Sequence, residues 1–274
     1  MATAATLGRD EAKRALDREW YHTIELAPGV VTPGWFDTRA VAPRLPLPQN
    51  LGGKRCLDVA TFDGYWAFEM ERRGAAEVHA IDVLEPNDWD WPANATEEAV
   101  TAIGRRKEAG RGFEIAHRAL GSGVRFEERS VYDLDPEAVG EFDFVYVGSL
   151  LLHLRDPVRA LERVRSVCRG QLLLVDNVSL ALTLLHPRRA VATFDGEGRP
   201  WWWKANLAAL LRMLRSAGFE PDRPPMRFYM PPGRGHPHWR QLRPATLRSA
   251  EGRHIALTAL WGDPHAAIVA SPAR

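Results

Sequence analysis

Between residues 54 and 217, short apolar runs of strand length alternate with stretches in which apolar residues recur at helical spacing. Strands that are separated by helices join in parallel, with the helices covering both faces of the sheet. The run LLLV at 172–175 is continuously apolar, as expected of a strand that is buried on both faces. The pattern predicts strands at 54–59, 77–82, 124–131, 142–147 and 170–176, helices at 64–73, 157–168 and 204–217, and a long, partly helical stretch at 93–120.

The two ends of the chain depart from this alternation. Apolar runs on either side of Gly262-Asp263-Pro264 predict an antiparallel hairpin at the edge of the sheet, which brings the strands to seven. At the other end, a helix to about residue 19 precedes the Gly- and Pro-rich aromatic segment 20–39, which can be neither a regular helix nor a central strand. We predict a doubly wound, mostly parallel, seven-stranded α/β domain in 51–274, preceded by an N-terminal helix and aromatic lid segment in 1–50.

Several helix ends are marked by residues with strong positional preferences. Asp63 and Asp156 are the predicted N-caps of two helices, and Asp156 is followed by a proline in the first turn. Gly74 and Gly218 are predicted to end two helices in the left-handed conformation.

Composition excludes several classes of protein. The 36 basic and 35 acidic residues give a net charge of +1, so no global field attracts nucleic acid or an acidic membrane. No uncharged apolar run is long enough to cross a membrane, and the N-terminus does not resemble a signal peptide. The two cysteines form no paired motif, and the histidines of 236–238 have no cysteine or acidic partner at ligand spacing. We expect a soluble, cytoplasmic protein without a metal site.

The loop between the first predicted strand and helix carries the first sign of function. RCLDVATFDGYWAFEM, residues 55–70, has the layout of a nucleotide-binding turn, but Ala60 and Phe62 stand where a dinucleotide-binding loop has glycines, and only Gly64 is kept. Those glycines let the backbone approach a pyrophosphate. Asp82 ends the second strand, 24 residues after the aspartate of LDVA, where a carboxylate binds ribose hydroxyls. The pattern favours a nucleoside with an amino-acid tail, and an ordinary capped turn is the alternative.

Several motifs in this order resemble those of class I S-adenosylmethionine-dependent methyltransferases. They are LDVATFDGYWAFEMERRGAAEVHAID, VYDL, EFDFVYVGSLLLHLRDPVRAL and AALLRMLRSAGFE, and the resemblance covers about residues 20–220. The flanking WYHTIELAPGVVTPGWFD and WWWKANLAALLRMLRSAGF resemble, more narrowly, the branch that includes the tRNA wobble-uridine 5-oxy (mo5U34-type) methyltransferases. The resemblance implies a Rossmann-like methyltransferase fold with S-adenosyl-L-methionine as the cofactor.

The resemblance also implies a cofactor site at one edge of the sheet. The loop 60–64 would contact the methionine moiety and Asp82 the ribose, while the residues after the third and fourth strands would lie beside the adenine and the sulfonium. Because Ala60 and Phe62 replace the glycine and the small residue that are usual in the family, the pocket wall near the methionine should be bulkier. The predicted cofactor-binding residues are Ala60, Thr61, Phe62, Asp63, Gly64, Asp82, Val83, Ser130, Val131, Gly148 and Ser149.

Methyl transfer from a sulfonium is an in-line displacement, so a base is useful only when the acceptor carries a proton. His22, in the aromatic segment, and His153, just after the fourth strand, are the candidate catalytic bases, and for each a structural histidine is the alternative. The lid segment is expected to close over the site, and a chain without residues 1–36 is expected to fold without turnover. The predicted substrate-binding residues are Trp20, Tyr21, Trp35, Asn177, Trp202 and Asn206.

Three functions fit these residues. The aromatic segments and the near-zero net charge favour O-methylation of a small aromatic or cyclic molecule. A basic, Pro-rich insertion at about 221–253 favours tRNA wobble-uridine modification, because between residues 223 and 254 seven arginines stand against one acid, Glu251. Because the loop at 60–64 departs from the usual family pattern, the third hypothesis is a cofactor-binding subunit without catalytic activity. The sequence does not predict the oligomeric state.

Overall fold

The computed structural model describes residues 7–248 and 250–273. Its helices are α1 (Arg9–Arg14), α2 (Tyr65–Arg72), α3 (Glu97–Lys107), α4 (Arg111–Leu120), α5 (Pro136–Val139), α6 (Pro157–Val167), α7 (Leu180–Leu185), α8 (Leu207–Ser216) and α9 (Ala250–Trp261). Its strands are β1 (Trp20–His22), β2 (Glu25–Ala27), β3 (Val30–Val31), β4 (Gly34–Phe36), β5 (Arg55–Val59), β6 (Glu77–Asp82), β7 (Arg125–Glu128), β8 (Phe142–Gly148), β9 (Cys168–Asn177), β10 (Ala192–Phe194), β11 (Trp203–Ala205), β12 (Phe219–Pro221), β13 (Met226–Met230) and β14 (Asp263–Pro272).

The central sheet has eight strands in the order β12-β14-β9-β8-β5-β6-β7, with β13 also paired to β14. The five strands from β9 to β7 are parallel, and β14 pairs antiparallel with β9. β12 and β13 pair with successive parts of β14, so they share one edge position. The mostly parallel α/β sheet predicted from the sequence is confirmed, and its strands are eight rather than seven.

Helices cover both faces of this sheet because its strands are apolar on both sides. Cys56 and Leu57, which are neighbours in β5, are both fully buried but belong to different core clusters. The cluster around Cys56 includes side chains of α2 and α4, such as Trp66 and Phe113. The cluster around Leu57 includes side chains of α6 and α8. Because the five strands are parallel, their carboxyl ends all lie at one edge of the sheet.

The predicted C-terminal hairpin is wrong in its first half. The run HIALTALW lies in helix α9, and only the second apolar run forms a strand, β14. A short apolar run fits a buried helix as well as a strand, so its periodicity could not decide between them. Gly262, with φ of +83°, follows the helix in the left-handed conformation and lets the chain turn into β14. The antiparallel partners of β14 are β12, β13 and β9.

Most predicted helix ends are confirmed, with one exception. The Asp156 side chain caps α6, and Gly74 and Gly218 follow their helices with φ of +84° and +83°. The N-cap of α2 is Gly64 rather than Asp63, and it makes no side-chain cap hydrogen bond. Helix α8 begins at Leu207, later than predicted, because the residues before it pair in a small antiparallel sheet of β10 and β11.

The N-terminal segment is built into the core. β1 pairs in parallel with β4, and β2 with β3 form a small hairpin. Trp20, Leu26 and Phe36 are buried in the same cluster as α2 and α4. Burial of each large apolar side chain contributes about 1.5–3 kcal/mol to folding. This packing argues against the expectation that a chain without residues 1–36 folds.

The basic, Pro-rich insertion spans β13, a loop that follows it and the first part of α9. Its seven arginines are exposed and lie on several different elements. Among the residues that the structure describes, no helix is long and apolar enough to span a membrane.

Candidate functional site

The loop after β5 keeps the shape of a glycine-rich turn although two of the glycines are missing. Ala60 and Phe62 have φ of +60° and +52°, and Gly64 has φ of +88°. A bulky residue rarely adopts the left-handed conformation, and such strain is found most often at functional sites. Gly64 also has no room for a side chain, since a Cβ there would lie 2.5 Å from the ring of Phe68. The conformation of this turn, which lies at the carboxyl edge of the sheet, is therefore fixed by its sequence and its packing.

Asp82 at the end of β6 holds this loop in place. Its Oδ2 accepts a hydrogen bond from the Phe62 backbone N at 2.7 Å, and its Oδ1 accepts one from the Val83 backbone N at 2.8 Å. The carboxylate is buried, with 8% of the side chain exposed, and it also forms an ion pair with the Lys107 ammonium. These contacts fix the carboxylate beside the loop, as the spacing from the first strand predicted.

Lys107, which the sequence analysis missed, belongs to this group. Its ammonium lies 4.7 Å from the ring centroid of Phe62 and 5.5 Å from that of Trp89. Its side chain is only 2% exposed. A buried lysine is unusual unless it is paired, and this one bridges α3 to Asp82. The only sequence signal was a lysine inside the partly helical stretch 93–120.

Asp63 has a different role from either that was predicted. Its carboxylate Oδ2 accepts hydrogen bonds from the backbone N of Tyr21 at 2.6 Å and of His22 at 2.9 Å. Burial raises the pKa of Asp63 to about 6, although these two bonds and the nearby charges of Arg18 and Lys107 oppose the shift. Asp63 therefore neither caps α2 nor stands free to bind an ammonium, and instead ties the N-terminal segment to the loop.

The Asp63→Asn variant should show this role in the pH dependence of stability. Burial raises the pKa of the Asp63 carboxyl from 3.8 to about 6, so its proton is held more tightly in the folded chain. The resulting stabilisation is complete below pH 4 and is lost as the pH rises through about 6. We expect the unfolding free energy of wild type relative to the variant to fall by about 3 kcal/mol between pH 4 and pH 7, measured by urea denaturation. A difference that stays constant over this range contradicts the assignment.

The other predicted cofactor residues lie at the same edge. Thr61 is buried, and its Oγ1 donates to Asp58 Oδ2 at 2.6 Å; burial raises the pKa of Asp58 to about 7. Ser130 accepts a hydrogen bond from the Tyr132 backbone N at 3.3 Å, and Val131 beside it is buried. A Cβ at Gly148 would lie 2.6 Å from the ring of Tyr146, so this position needs glycine.

The two candidate bases have different surroundings. His22 is 5% exposed, its Nδ1 has no hydrogen-bond partner among the described residues, and burial lowers its pKa to about 3. A histidine with so low a pKa is a weak base at neutral pH. His153 Nδ1 lies 2.7 Å from the Pro200 carbonyl oxygen, which can only accept, so Nδ1 carries the proton and Nε2 is free to act as a base. Burial lowers the pKa of His153, and its bond to Pro200 opposes the shift.

Three of the predicted substrate-binding residues serve the fold instead. Trp20 is 2% exposed and donates from Nε1 to the Ala15 carbonyl oxygen at 2.8 Å. Asn206 is fully buried, its Oδ1 caps α8 by accepting from Ala209 N at 2.8 Å, and its Nδ2 donates to three backbone carbonyl oxygens. Trp202 is buried and donates to the Asp90 carbonyl oxygen at 2.6 Å. Their side-chain polar groups are therefore already used within the chain.

The remaining three lie nearer the open edge. Tyr21 is partly exposed, with its ring centroid 4.8 Å from that of Phe62 in the loop. Trp35 packs edge-on against His236 at 4.6 Å between ring centroids. Asn177, at the end of β9, donates from Nδ2 to both carboxylate oxygens of Asp263, at 2.9 and 3.0 Å. Tyr21 thus contacts the loop predicted to hold the cofactor.

A second set of polar groups lies at the ends of β8 and β14. Ser149 Oγ lies 3.0 Å from His265 Nε2, and His265 Nδ1 lies 2.9 Å from the Asp263 carbonyl oxygen. His265 could not be paired with Ser149 from the sequence, because 116 residues separate them. Within the described residues, no group of three or more His, Cys, Asp and Glu side chains is arranged to hold a metal ion.

No family model and no curated protein matches the sequence. Among solved structures, the fold is similar to that of the N-terminal domain of EvdMO1, with a TM-score of 0.56 and 17% identity over 98% of both chains. That domain was crystallised with S-adenosylhomocysteine, and also in the presence of S-adenosylhomocysteine and D-fucose. A complex between the Haloferax volcanii Trm112 methyltransferase activator and a methyltransferase gives a TM-score of 0.52 at 14% identity, over 88% of this chain and 90% of that one. The chain therefore has a Rossmann-like methyltransferase fold.

Proposed function

We propose that the chain is an S-adenosylmethionine-dependent methyltransferase that methylates a hydroxyl group of a small cyclic molecule. The observation that carries the proposal is the position of Asp82, which two backbone N–H groups fix at the end of the second parallel strand beside the left-handed turn 60–64. A carboxylate at this place suits ribose hydroxyls. The EvdMO1 domain, which has a similar fold over 98% of both chains and was crystallised with S-adenosylhomocysteine, supports the same cofactor.

The residues present fit this cofactor once Lys107 moves. Asp82 and the faces of Phe62 and Trp89 surround the Lys107 ammonium, so a carboxylate and two aromatic faces converge on one place. Such a set suits a ribose and its base as well as a cation. We assign the ribose to Asp82, the adenine to the region of Val131, and the methionine tail to the turn 60–64. When bound, the cofactor supplies a methyl group activated by a positively charged sulfur.

Lys107→Met should tighten the binding of S-adenosylhomocysteine about tenfold, because the cofactor no longer has to break the buried ion pair with Asp82. Methionine keeps most of the apolar stem of the buried lysine but lacks its ammonium. Calorimetric titration measures the change, and Lys54→Met, at an exposed position, serves as the control. Weaker or unchanged binding in Lys107→Met would show that Lys107 does not compete with the ribose.

The chain's own contribution to methyl transfer is alignment, exclusion of water and removal of a proton. The N-terminal segment packs over the turn through Tyr21 and Asp63, which supports its role as a cover. Of the two predicted bases, His22 is the weaker, because burial lowers its pKa to about 3, whereas His153 carries its proton on Nδ1 and has an unprotonated Nε2. A positioned base contributes about 10²–10⁴-fold to such a reaction.

The experiment is a transfer assay with methyl-labelled S-adenosylmethionine and three acceptors: D-fucose, catechol and bulk tRNA. We expect label in a small molecule. The seven exposed arginines of the insertion favour tRNA as the second candidate. Label in tRNA alone would establish that second function. Tight binding of S-adenosylhomocysteine without transfer to any acceptor would favour the non-catalytic subunit.

A further inference from the structure

A polar network connects the end of β8 to the start of β14. Ser149 Oγ and His265 Nε2 are 3.0 Å apart, and His265 Nδ1 is 2.9 Å from the Asp263 carbonyl oxygen. A carbonyl oxygen can only accept, so Nδ1 carries the proton of the neutral ring. Nε2 is then the acceptor, and the Ser149 hydroxyl donates to it. The lone pairs of Ser149 Oγ stay available to a second donor.

Asp263 gives the network a negative charge behind the histidine. Its carboxylate is buried and accepts two hydrogen bonds from Asn177 Nδ2. One oxygen lies 3.7 Å from His265 Nδ1 and the other lies 3.5 Å from His254 Nε2. The Asp263 carboxylate is therefore the acidic group that lies beside the His265 ring.

Ser149 and His265 differ in their exposure to solvent. Ser149 is partly exposed at the carboxyl edge, and its φ of +48° is rare for a residue with a side chain. Its backbone N donates to the Val175 carbonyl oxygen at 2.8 Å. His265 is 2% exposed, with the rings of Phe36 and Phe228 at 6.5 and 5.8 Å between centroids. A partly exposed serine is thus hydrogen-bonded to a buried imidazole.

We propose that Ser149 and His265, in place of His153, form the proton relay for a neutral, sugar-like alcohol acceptor, a proposal that rests on the proposed methyltransferase function. The acceptor oxygen forms the new bond to the methyl carbon while the carbon–sulfur bond breaks and its electron pair stays on sulfur. The proton of the acceptor hydroxyl passes to Ser149 Oγ, and the proton of Ser149 passes to His265 Nε2. Ser149 is the catalytic residue, and His265 is a positioning residue that acts through it.

The first test is the tautomer of His265, which needs no acceptor and no cofactor. In ¹⁵N-histidine-labelled protein at neutral pH, we expect a protonated Nδ1 and an unprotonated Nε2 for His265. Ser149→Ala should shift the Nε2 resonance, because Nε2 loses its donor. A ring with its proton on Nε2, or a resonance that Ser149→Ala leaves unchanged, would overturn the relay.

The second test is the pH profile of methyl transfer to D-fucose between pH 7 and pH 9. We expect Ser149→Ala and His265→Gln to lower kcat about 10²–10³-fold at pH 7, and His265→Gln, which keeps the Ser149 side chain, to bind S-adenosylhomocysteine within about threefold of wild type. Between pH 7 and pH 9 the kcat of both variants should rise about tenfold per pH unit, because hydroxide then removes the acceptor proton in place of the relay. The titratable groups that face His265 are Asp263, Asp176 and His254, and both variants retain them. Ser166→Ala, on the exposed side of α6, is the control.

Different results of these tests would contradict the relay and the proposed function. Equal losses of kcat at every pH would show a structural role and overturn the relay, as would unchanged rates. Wild-type protein that binds S-adenosylhomocysteine but does not methylate D-fucose also overturns it for sugar-like alcohols. If wild type does not bind S-adenosylhomocysteine, the proposed function fails and the relay fails with it, whereas binding with a proton on His265 Nε2 contradicts the relay alone.

Discussion

Asp82→Ala is expected to weaken the binding of S-adenosylhomocysteine at least 100-fold. Each ribose hydroxyl that donates to a carboxylate contributes about 1.5–3 kcal/mol, and the variant loses two such bonds. It also loses the acceptor that holds the Phe62 backbone N, at 2.7 Å, and the Val83 backbone N, at 2.8 Å. The turn that carries the methionine subsite is thereby released as well. Calorimetric titration of the variant measures the loss directly.

Two further variants separate binding from stability. Asp82→Ala leaves the Lys107 ammonium buried without its partner, which is itself destabilising. Asp82→Ala combined with Lys107→Met removes that unpaired charge, so it should recover stability but not affinity. Asp88→Ala changes an exposed aspartate in the following loop and should bind like wild type. Wild-type affinity in both Asp82 variants would show that the ribose does not bind at the end of β6.

Gly34→Ala is expected to lower the unfolding free energy by at least about 3 kcal/mol. A Cβ on Gly34 would lie 2.3 Å from both the His22 carbonyl carbon and the Thr23 backbone N. Both atoms belong to backbone, so neither can move aside without breaking the pairing of β1 with β4. The same residue accepts a hydrogen bond from the Gly235 backbone N at 3.0 Å, so the insertion is disturbed too.

The matched control for this prediction is Gly123→Ala. A Cβ there would meet only the end of the flexible Glu71 side chain, at 3.4 Å. Urea denaturation compares the two variants with wild type. If Gly34→Ala were as stable as Gly123→Ala, the N-terminal segment would not be locked in place by β1 and β4. Its role as a cover over the turn would then lose its structural basis.

The elements of the parallel sheet could be predicted because their signals are local. The five strands from β5 to β9 were each predicted within a few residues, since short strand-like runs alternate with helices whose ends are marked by capping residues. The run before Gly262 was misread, because eight apolar and small residues fit helix α9 as well as a strand. The Asp63 side chain was misassigned for a related reason. Its partners, Tyr21 and His22, lie more than forty residues earlier in the chain.

The candidate site was predicted in part. Asp82 was found from its spacing to the first strand, which the order of the parallel strands imposes. Lys107 and His265 were missed, because each acts through a contact that only the folded chain creates. His22 was singled out for its aromatic surroundings. In the folded chain those surroundings bury its ring and lower its pKa to about 3. The degree of burial depends on the tertiary structure and could not be predicted from the adjacent residues.

The most direct test of the account is a pair of calorimetric titrations of the wild-type chain, one with S-adenosylhomocysteine and one with NAD. The turn 60–64 has Ala60 and Phe62 where a pyrophosphate needs glycines, and Asp82 is placed for a ribose. We expect one S-adenosylhomocysteine to bind per chain, with a dissociation constant of about 10 µM or below, and no measurable binding of NAD. Binding of NAD in preference to S-adenosylhomocysteine, or binding of neither, would contradict it.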